Sequence, residues 1–152
     1  MIIRSAKADD YDALGQLMFN AIHVDPSPYT KTERLAWRRA PHAGAEWYAR
    51  LEEQHVFIAE DANGPVGFLT LAPDGYVDLA YMLPRGRGRG VFRQLHNCLE
   101  DAAQRNGTSR LYTHASLSAE GPFKAMGYRV TEREIVSLNG EQLRRAAMEK
   151  SL

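Results

Sequence analysis

Pro84-Arg-Gly-Arg-Gly-Arg-Gly90 stands where one hydrophobic pattern ends and another begins. Upstream, Tyr76-Val-Asp-Leu-Ala-Tyr-Met-Leu83 alternates as a strand does, with Val77, Leu79, Tyr81 and Leu83 on one face. Downstream, Val91, Phe92, Leu95, Cys98, Leu99, Ala102 and Ala103 fall on one stripe of a 3.6-residue period that stops at Asn106-Gly107. A strand, a glycine-rich basic turn and a helix N-terminus, in that order, make an anion site. Glycines let the backbone approach a ligand, consecutive N–H groups point outward, and the helix dipole favours negative charge. The turn predicts a phosphorylated ligand.

Spacing excludes two common phosphate binders. A P-loop needs a lysine and a hydroxyl residue after its glycines, and neither is present. A dinucleotide fingerprint needs glycines at i, i+2 and i+5. That third position is Val91 counting from Gly86 and Arg93 counting from Gly88. The stretch instead resembles the coenzyme A signature of the GNAT acetyltransferases, Gln/Arg-x-x-Gly-x-Gly/Ala, which usually lies three residues after a strand-ending proline. Anchored on Pro84, it reads Arg87-Gly88-Arg89-Gly90-Val91-Phe92, with Phe92 departing at the last position. A frame two residues earlier, Arg85 to Gly90, fits the letters but shifts against Pro84 and the helix. We adopt the proline-anchored frame, which also aligns the leucine stripe.

Residues 1–152 are expected to form one domain, long enough to bury roughly two-thirds of the unfolded surface. Lysine plus arginine and aspartate plus glutamate each total 19, so no bulk field gathers nucleic acid, and the basic turn is local. A single cysteine excludes an internal disulfide and suits the cytoplasm; Cys98 lies on the apolar stripe and reads as core. No apolar run approaches a membrane span, and Met1-Ile-Ile-Arg4 is too short for a signal peptide.

A short strand at Ile2 to Ser5 precedes a helix capped by Asp9 and carrying Tyr11, Leu14, Leu17, Met18, Ala21 and Ile22. Thr30 and Glu33 form a capping box for a second helix, which Pro41 interrupts before a helical piece through Trp47, Tyr48 and Leu51. Val56 to Glu60 and Val66 to Leu71 form a hairpin around Asp61-Ala-Asn-Gly64. After the long helix come a strand at Arg110 to His114, a short helix ending near Gly127, and two strands joined at Asn139-Gly140. The order βααβββαβαββ implies an α/β fold with a mixed, mainly antiparallel sheet flanked by helices. This is also the GNAT order. Tyr29 to Trp37, Asp74 to Pro84, Ala115 to Ala119, Gly127-Tyr128 and Ala146 to Lys150 resemble segments of a bacterial subgroup.

The resemblance implies acetyl-CoA as cosubstrate, its pyrophosphate held by backbone amides of Arg87, Gly88, Arg89, Gly90, Val91 and Phe92. The Arg87 and Arg89 side chains add charge or remain solvated. The resemblance also implies that the amide of Met82, at the end of the fourth strand, donates to the acetyl oxygen in an oxyanion hole. Ser116 stands where the family often has asparagine. Phe123 stands where many members have the tyrosine that protonates the departing thiolate, so it is expected to be an apolar wall along the pantetheine arm. Asp78 shares the face of Tyr76, Ala80 and Met82 in the alternating pattern. A carboxylate in an apolar strand is costly unless it is paired or functional. Acting as base, directly or through water, is what the resemblance implies; a salt-bridged structural aspartate is the alternative. His114 and His23 are secondary candidates. Tyr29, Trp37, Arg38, Arg39, His42, Trp47 and Tyr48 would lie over the acceptor side.

The leading expectation is a cytoplasmic N-acetyltransferase that acts by direct transfer on a primary amine of an unidentified small molecule or protein. The resemblance allows a homodimer, and nucleic acid and membrane partners are not expected. A non-catalytic acyl-CoA-binding or sensor domain is the alternative, kept open by Phe92 and Phe123. An RNA module built on the Gly-Arg repeat is disfavoured by its short length and the zero net charge.

Overall fold

The structure is a computed structural model that describes residues 1–152. Strand β1 (Ile2–Ser5) leads through a 3₁₀ turn into α1 (Tyr11–His23), followed by α2 (Lys31–Trp37) and α3 (Ala45–Glu52). Next come β2 (His55–Asp61), β3 (Gly64–Leu71), β4 (Tyr76–Met82) and α4 (Val91–Arg105). The chain continues with β5 (Arg110–Ser116), α5 (Glu120–Ala125), β6 (Arg129–Leu138) and β7 (Glu141–Ser151). One seven-stranded sheet has the order β1-β2-β3-β4-β5-β7-β6. Every pairing is antiparallel except β4 with β5. The expected fold class is present, with one more helix than the expected order because the second helical region is divided. Gly44, at φ 85°, starts α3 beyond the break at Pro41.

Local signals act where their chemistry is complete. Thr30 Oγ1 accepts from the Glu33 amide at 3.2 Å, and Glu33 returns a bond to the Thr30 amide at 2.7 Å. Asn139 and Gly140, at φ 48° and 85°, make the tight turn between β6 and β7. The Asp9 cap does not form. A 3₁₀ turn covers Ala8–Asp10, and the carboxylate of Asp10 is drawn to Arg4 and the Lys7 amide, both at 2.8 Å.

The two faces of the sheet bury two cores. On β2, Phe57 and Ala59 point to the side of α4 and α5, whereas Val56 and Ile58 meet α1 and α3. Trp47 fixes α3 to α1 by donating from Nε1 to the Tyr11 carbonyl at 2.7 Å. No helix is long and apolar enough to cross a membrane.

Strand β4 departs from simple alternation. Leu69 pairs with Ala80 but Leu71 pairs with Val77, so Asp78 and Leu79 together oppose Thr70. This is a β-bulge. Thr70, fully buried, completes it by accepting from the Leu79 amide at 3.0 Å. Val77, Ala80 and Met82 consequently pack on the α4 side, and Leu79, Tyr81 and Leu83 on the α1 side. The expected grouping of Asp78 with Ala80 and Met82 is overturned, because the extra residue inverts the parity beyond it.

Candidate active site

Strands β4 and β5 pair only at Tyr76 with Tyr112 and Val77 with Thr113. Thr113 Oγ1 donates to the Val77 carbonyl at 2.8 Å, and beyond this point the strands diverge. The Leu83 amide donates to Val66 of β3 at 2.7 Å. Strand backbone alternates, so the N–H and C=O of Met82 are turned the other way, into the split. Its side chain packs beside two glycines: a Cβ at Gly67 or Gly86 would lie 2.5 or 2.8 Å from Met82 Sδ.

The turn beyond the split is open to an anion. Arg87 N is bonded to Pro84 O at 3.0 Å, and the first bond of α4 runs from Gln94 N to Gly90 O at 3.1 Å. Between them, the amides of Gly88, Arg89, Gly90, Val91, Phe92 and Arg93 donate to no protein group. The run of free donors therefore starts one residue later than expected: Arg87 offers no amide, and Arg93 joins. Gly88 and Gly90 both adopt φ 72°, and a Cβ there would meet nothing within 4 Å. The demand for glycine is conformational, and the space above is open. Arg85 is turned away to Asp61 at 3.2 Å. Arg87 and Arg89 are exposed and bond only to the carbonyls of Met82 (3.4 Å) and Arg85 (3.1 Å).

A cavity of about 470 Å³ runs from this turn along the split, with Met82, Val91, Phe92, Ser116 and Met126 among its walls. Phe123 is not on it. It is 1% exposed and packs edge-to-face behind Phe92 at 5.2 Å and against Tyr128 at 4.9 Å. The short helix α5 turns Pro122 and Ala125 to the cavity, and Met126 just past its end joins them, so the apolar wall expected of Phe123 comes from its neighbours.

A second cavity, about 360 Å³, opens on the α1 side of the sheet. The two share Tyr29, Trp37, Tyr81 and Ser116, so they meet at the split. Tyr29 braces this neck: its hydroxyl donates to Arg144 O at 2.6 Å and accepts from the Leu117 amide at 2.9 Å.

Asp78 lies on the second cavity and is fully paired. Arg50 binds both its oxygens, at 2.8 and 2.9 Å, and Gln54 adds a bond at 2.9 Å. Burial pushes the carboxyl up, but the hydrogen bonds from Arg50 and Gln54 outweigh it and hold it below its usual 3.8. A carboxylate held this way is a weakened base. His114 also reaches the cavity, with Nδ1 2.9 Å from Glu134. Burial opposes ionisation of Glu134, yet hydrogen bonds from His114 and Arg145 keep its carboxyl below the usual value. An ionised carboxylate only accepts, so Nδ1 carries a proton, and Nε2 bonds to no protein group. His42 is lowered to about 4 by burial and by Arg38 and Arg50, and is neutral near pH 7.

Other candidates lie elsewhere. His23 bonds to Arg38 O at 2.6 Å, Trp47 is core, and Tyr48 donates to Asp12 at 2.7 Å. Those three, Arg39 and Cys98 line neither cavity. Sequence reasoning missed Arg50, Tyr81, Arg144 and Arg145 as cavity walls. The Leu143-Arg-Arg145 pattern marked a strand and carried no signal of what faces it.

Comparison with known proteins agrees with this geometry. The model of the acetyltransferase (GNAT) domain matches residues 27–152. A GCN5-related N-acetyltransferase from Rhodopseudomonas palustris is 33% identical, covering 99% of this chain and 95% of its own, with a TM-score of 0.89. The putative acetyltransferase yncA from Salmonella typhimurium, solved with its cofactor acetyl-CoA, is 23% identical over 99% and 93%, with a TM-score of 0.69. A phosphinothricin acetyltransferase from Sinorhizobium meliloti, in complex with AcCoA, is 18% identical over 99% and 88%, with a TM-score of 0.76. No curated protein matches. With its sheet split beside a run of free amides, the chain belongs to the GNAT acetyltransferases, acyltransferases whose cosubstrate is acetyl-CoA.

Proposed function

We propose that the protein transfers an acetyl group directly from acetyl-CoA to a primary amine, both held at once on the two sides of the β4–β5 split. The single observation that carries this reading is the Met82 amide turned into the split on the wall of the first cavity, which meets the second at Tyr29, Trp37, Tyr81 and Ser116. The free amides of Gly88 to Arg93 hold the pyrophosphate, and the trough past Phe92 and Met126 takes the pantetheine arm. Arg87 and Arg89 add charge from solvent.

The amine nitrogen attacks the thioester carbonyl carbon, and the Met82 N–H receives the developing oxyanion. The C–S bond then breaks, the thiolate takes a proton from water, and the amine proton passes through water to the base. A thiol pKa near ~8.5 makes that protonation feasible without a positioned acid. Two groups compete as base. Asp78 is on the cavity, but its oxygens are taken by Arg50 and Gln54. His114 has a free Nε2 and a carboxylate that orients the ring, the pairing general bases use. His114 is the better supported, with Asp78 holding Arg50. The unpaired Cys98 fits a cytoplasmic setting.

Thiol release from acetyl-CoA over a panel of amines tests the reading. Release matched by acetylated amine is expected. Acetyl-CoA binding without release on any amine would favour an acyl-CoA sensor, the reading that the inward turn of Phe123 supports.

A further inference from the structure

The second cavity carries more positive charge than its own partners neutralise. Four arginines line it, and two are matched, Arg50 by Asp78 at 2.8 Å and Arg145 by Glu134 at 3.0 Å. Arg38 and Arg144 have no carboxylate partner. Arg38 gives one N–H to the Ala40 carbonyl at 2.9 Å, whereas the guanidinium of Arg144 bonds to no protein group. The chain as a whole is balanced at 19 positive and 19 negative side chains, so this excess is local.

Both arginines are rooted in fixed backbone. The Arg144 carbonyl is held by the Tyr29 hydroxyl at 2.6 Å, and the Arg38 carbonyl by His23 Nε2 at 2.6 Å. They stand on different walls, one just past α2 and the other on β7. The neck that leads to the first cavity, lined by Tyr29, Trp37, Tyr81 and Ser116, is aromatic and carries no charged side chain. A ligand with an anionic end on the arginines and an uncharged nitrogen in the neck matches this distribution. The same cations would lower the pKa of an incoming ammonium, raising the fraction present as free amine.

We propose that the acceptor is a small primary amine that also carries a carboxylate, as an amino acid does, with Arg38 and Arg144 binding the carboxylate. The inference rests on the transferase reading for the role of the amine. Guanidinium groups bind carboxylates through charge-assisted, often bidentate hydrogen bonds, so loss of the carboxylate should weaken binding about tenfold or more. A cavity of about 360 Å³ suits a free small molecule.

The test is calorimetric titration of the protein saturated with coenzyme A. The probes are the twenty standard α-amino acids, β-alanine and γ-aminobutyrate, each beside its carboxamide; thiol release from acetyl-CoA is measured in parallel. At least one free acid should bind about tenfold or more tightly than its carboxamide, with a preference that shrinks as salt rises. In the double variant Arg38→Gln/Arg144→Gln that preference should vanish while acetyl-CoA affinity is kept. Carboxamides binding as well as acids would overturn the inference. So would no free acid binding, a preference that survives in the double variant, or tighter binding of acidic peptides. Selective binding of an acid without thiol release would uphold the charge assignment and overturn the transferase reading instead.

Discussion

The two cavities that meet at the β4–β5 split are built by opposite means. The cofactor side takes its donors from the backbone of six consecutive residues, Gly88 to Arg93, whose conformation is set by two glycines at φ 72°. The proposed acceptor side takes its groups from side chains scattered over five elements and their flanks: Arg38 past α2, Arg50 on α3, Asp78 on β4, His114 on β5 and Arg144 on β7. A backbone site is local in sequence, and it survives changes in its own side chains. A side-chain site depends on register and on the packing of distant segments. On the proposed assignment, the common coenzyme is held by a stretch that reads directly, whereas the acceptor is chosen by groups that sequence order does not join.

The largest effect should come from the layer behind the cofactor side. Phe123 is 1% exposed and braces Phe92, so Phe123→Ala should destabilise the fold by about 3–5 kcal/mol in denaturant unfolding. Phe123→Tyr should also destabilise, by about 1–3 kcal/mol, and leave turnover per folded molecule unchanged, because the added hydroxyl points into the core. A rise in turnover would mean that the ring reaches the split.

Next in size is His114→Gln, expected to lower kcat on the order of a hundredfold with acetyl-CoA affinity unchanged. Initial rates beside a binding titration check this. Should Asp78→Asn instead give the hundredfold loss and His114→Gln little, the roles of the two groups are reversed.

The backbone-versus-side-chain contrast is sharpened by substitution within the turn. Gly90→Val forces a branched residue into a left-handed conformation and should weaken acetyl-CoA binding about tenfold or more, measured by calorimetry. The exposed Arg87→Ala should weaken it less. The reverse order would make the cofactor side a side-chain site like its neighbour.

The smallest effect concerns pH. The carboxyl of Asp78 is held below its usual 3.8 in the fold. A depressed folded value contributes stability that is present above the unfolded pKa and lost as pH falls through the folded one. Asp78→Asn should then destabilise on the order of 1 kcal/mol near pH 7. That difference should shrink below about pH 4. A gap independent of pH would trace the loss to packing.

Much of the fold was legible because its signals are short-range. The Thr30–Glu33 box, the Asn139-Gly140 turn and the glycine turn before α4 each need only a few neighbouring residues. The bulge at Asp78 and Leu79 was not, because its completing acceptor, Thr70, sits on another strand. Without the bulge, alternation puts Asp78 on the face of Met82, and the arginine partner on α3 goes unseen. Phe123 misled for a similar reason. Counting back from Gly127 finds the residue but cannot tell which side of a six-residue helix faces the core. Asp9 failed as a cap because Arg4, on β1, holds Asp10 and a 3₁₀ turn covers Ala8–Asp10 before the helix.

Initial-rate kinetics with acetyl-CoA and an accepted amine varied together test direct transfer at the split most plainly. The two cavities meet at Tyr29, Trp37, Tyr81 and Ser116, and Cys98 lines neither; on the proposed direct transfer both substrates are bound at once, so double-reciprocal lines should intersect. Parallel lines would mean that the acetyl group rests covalently on the protein between two separate visits, and would contradict direct transfer.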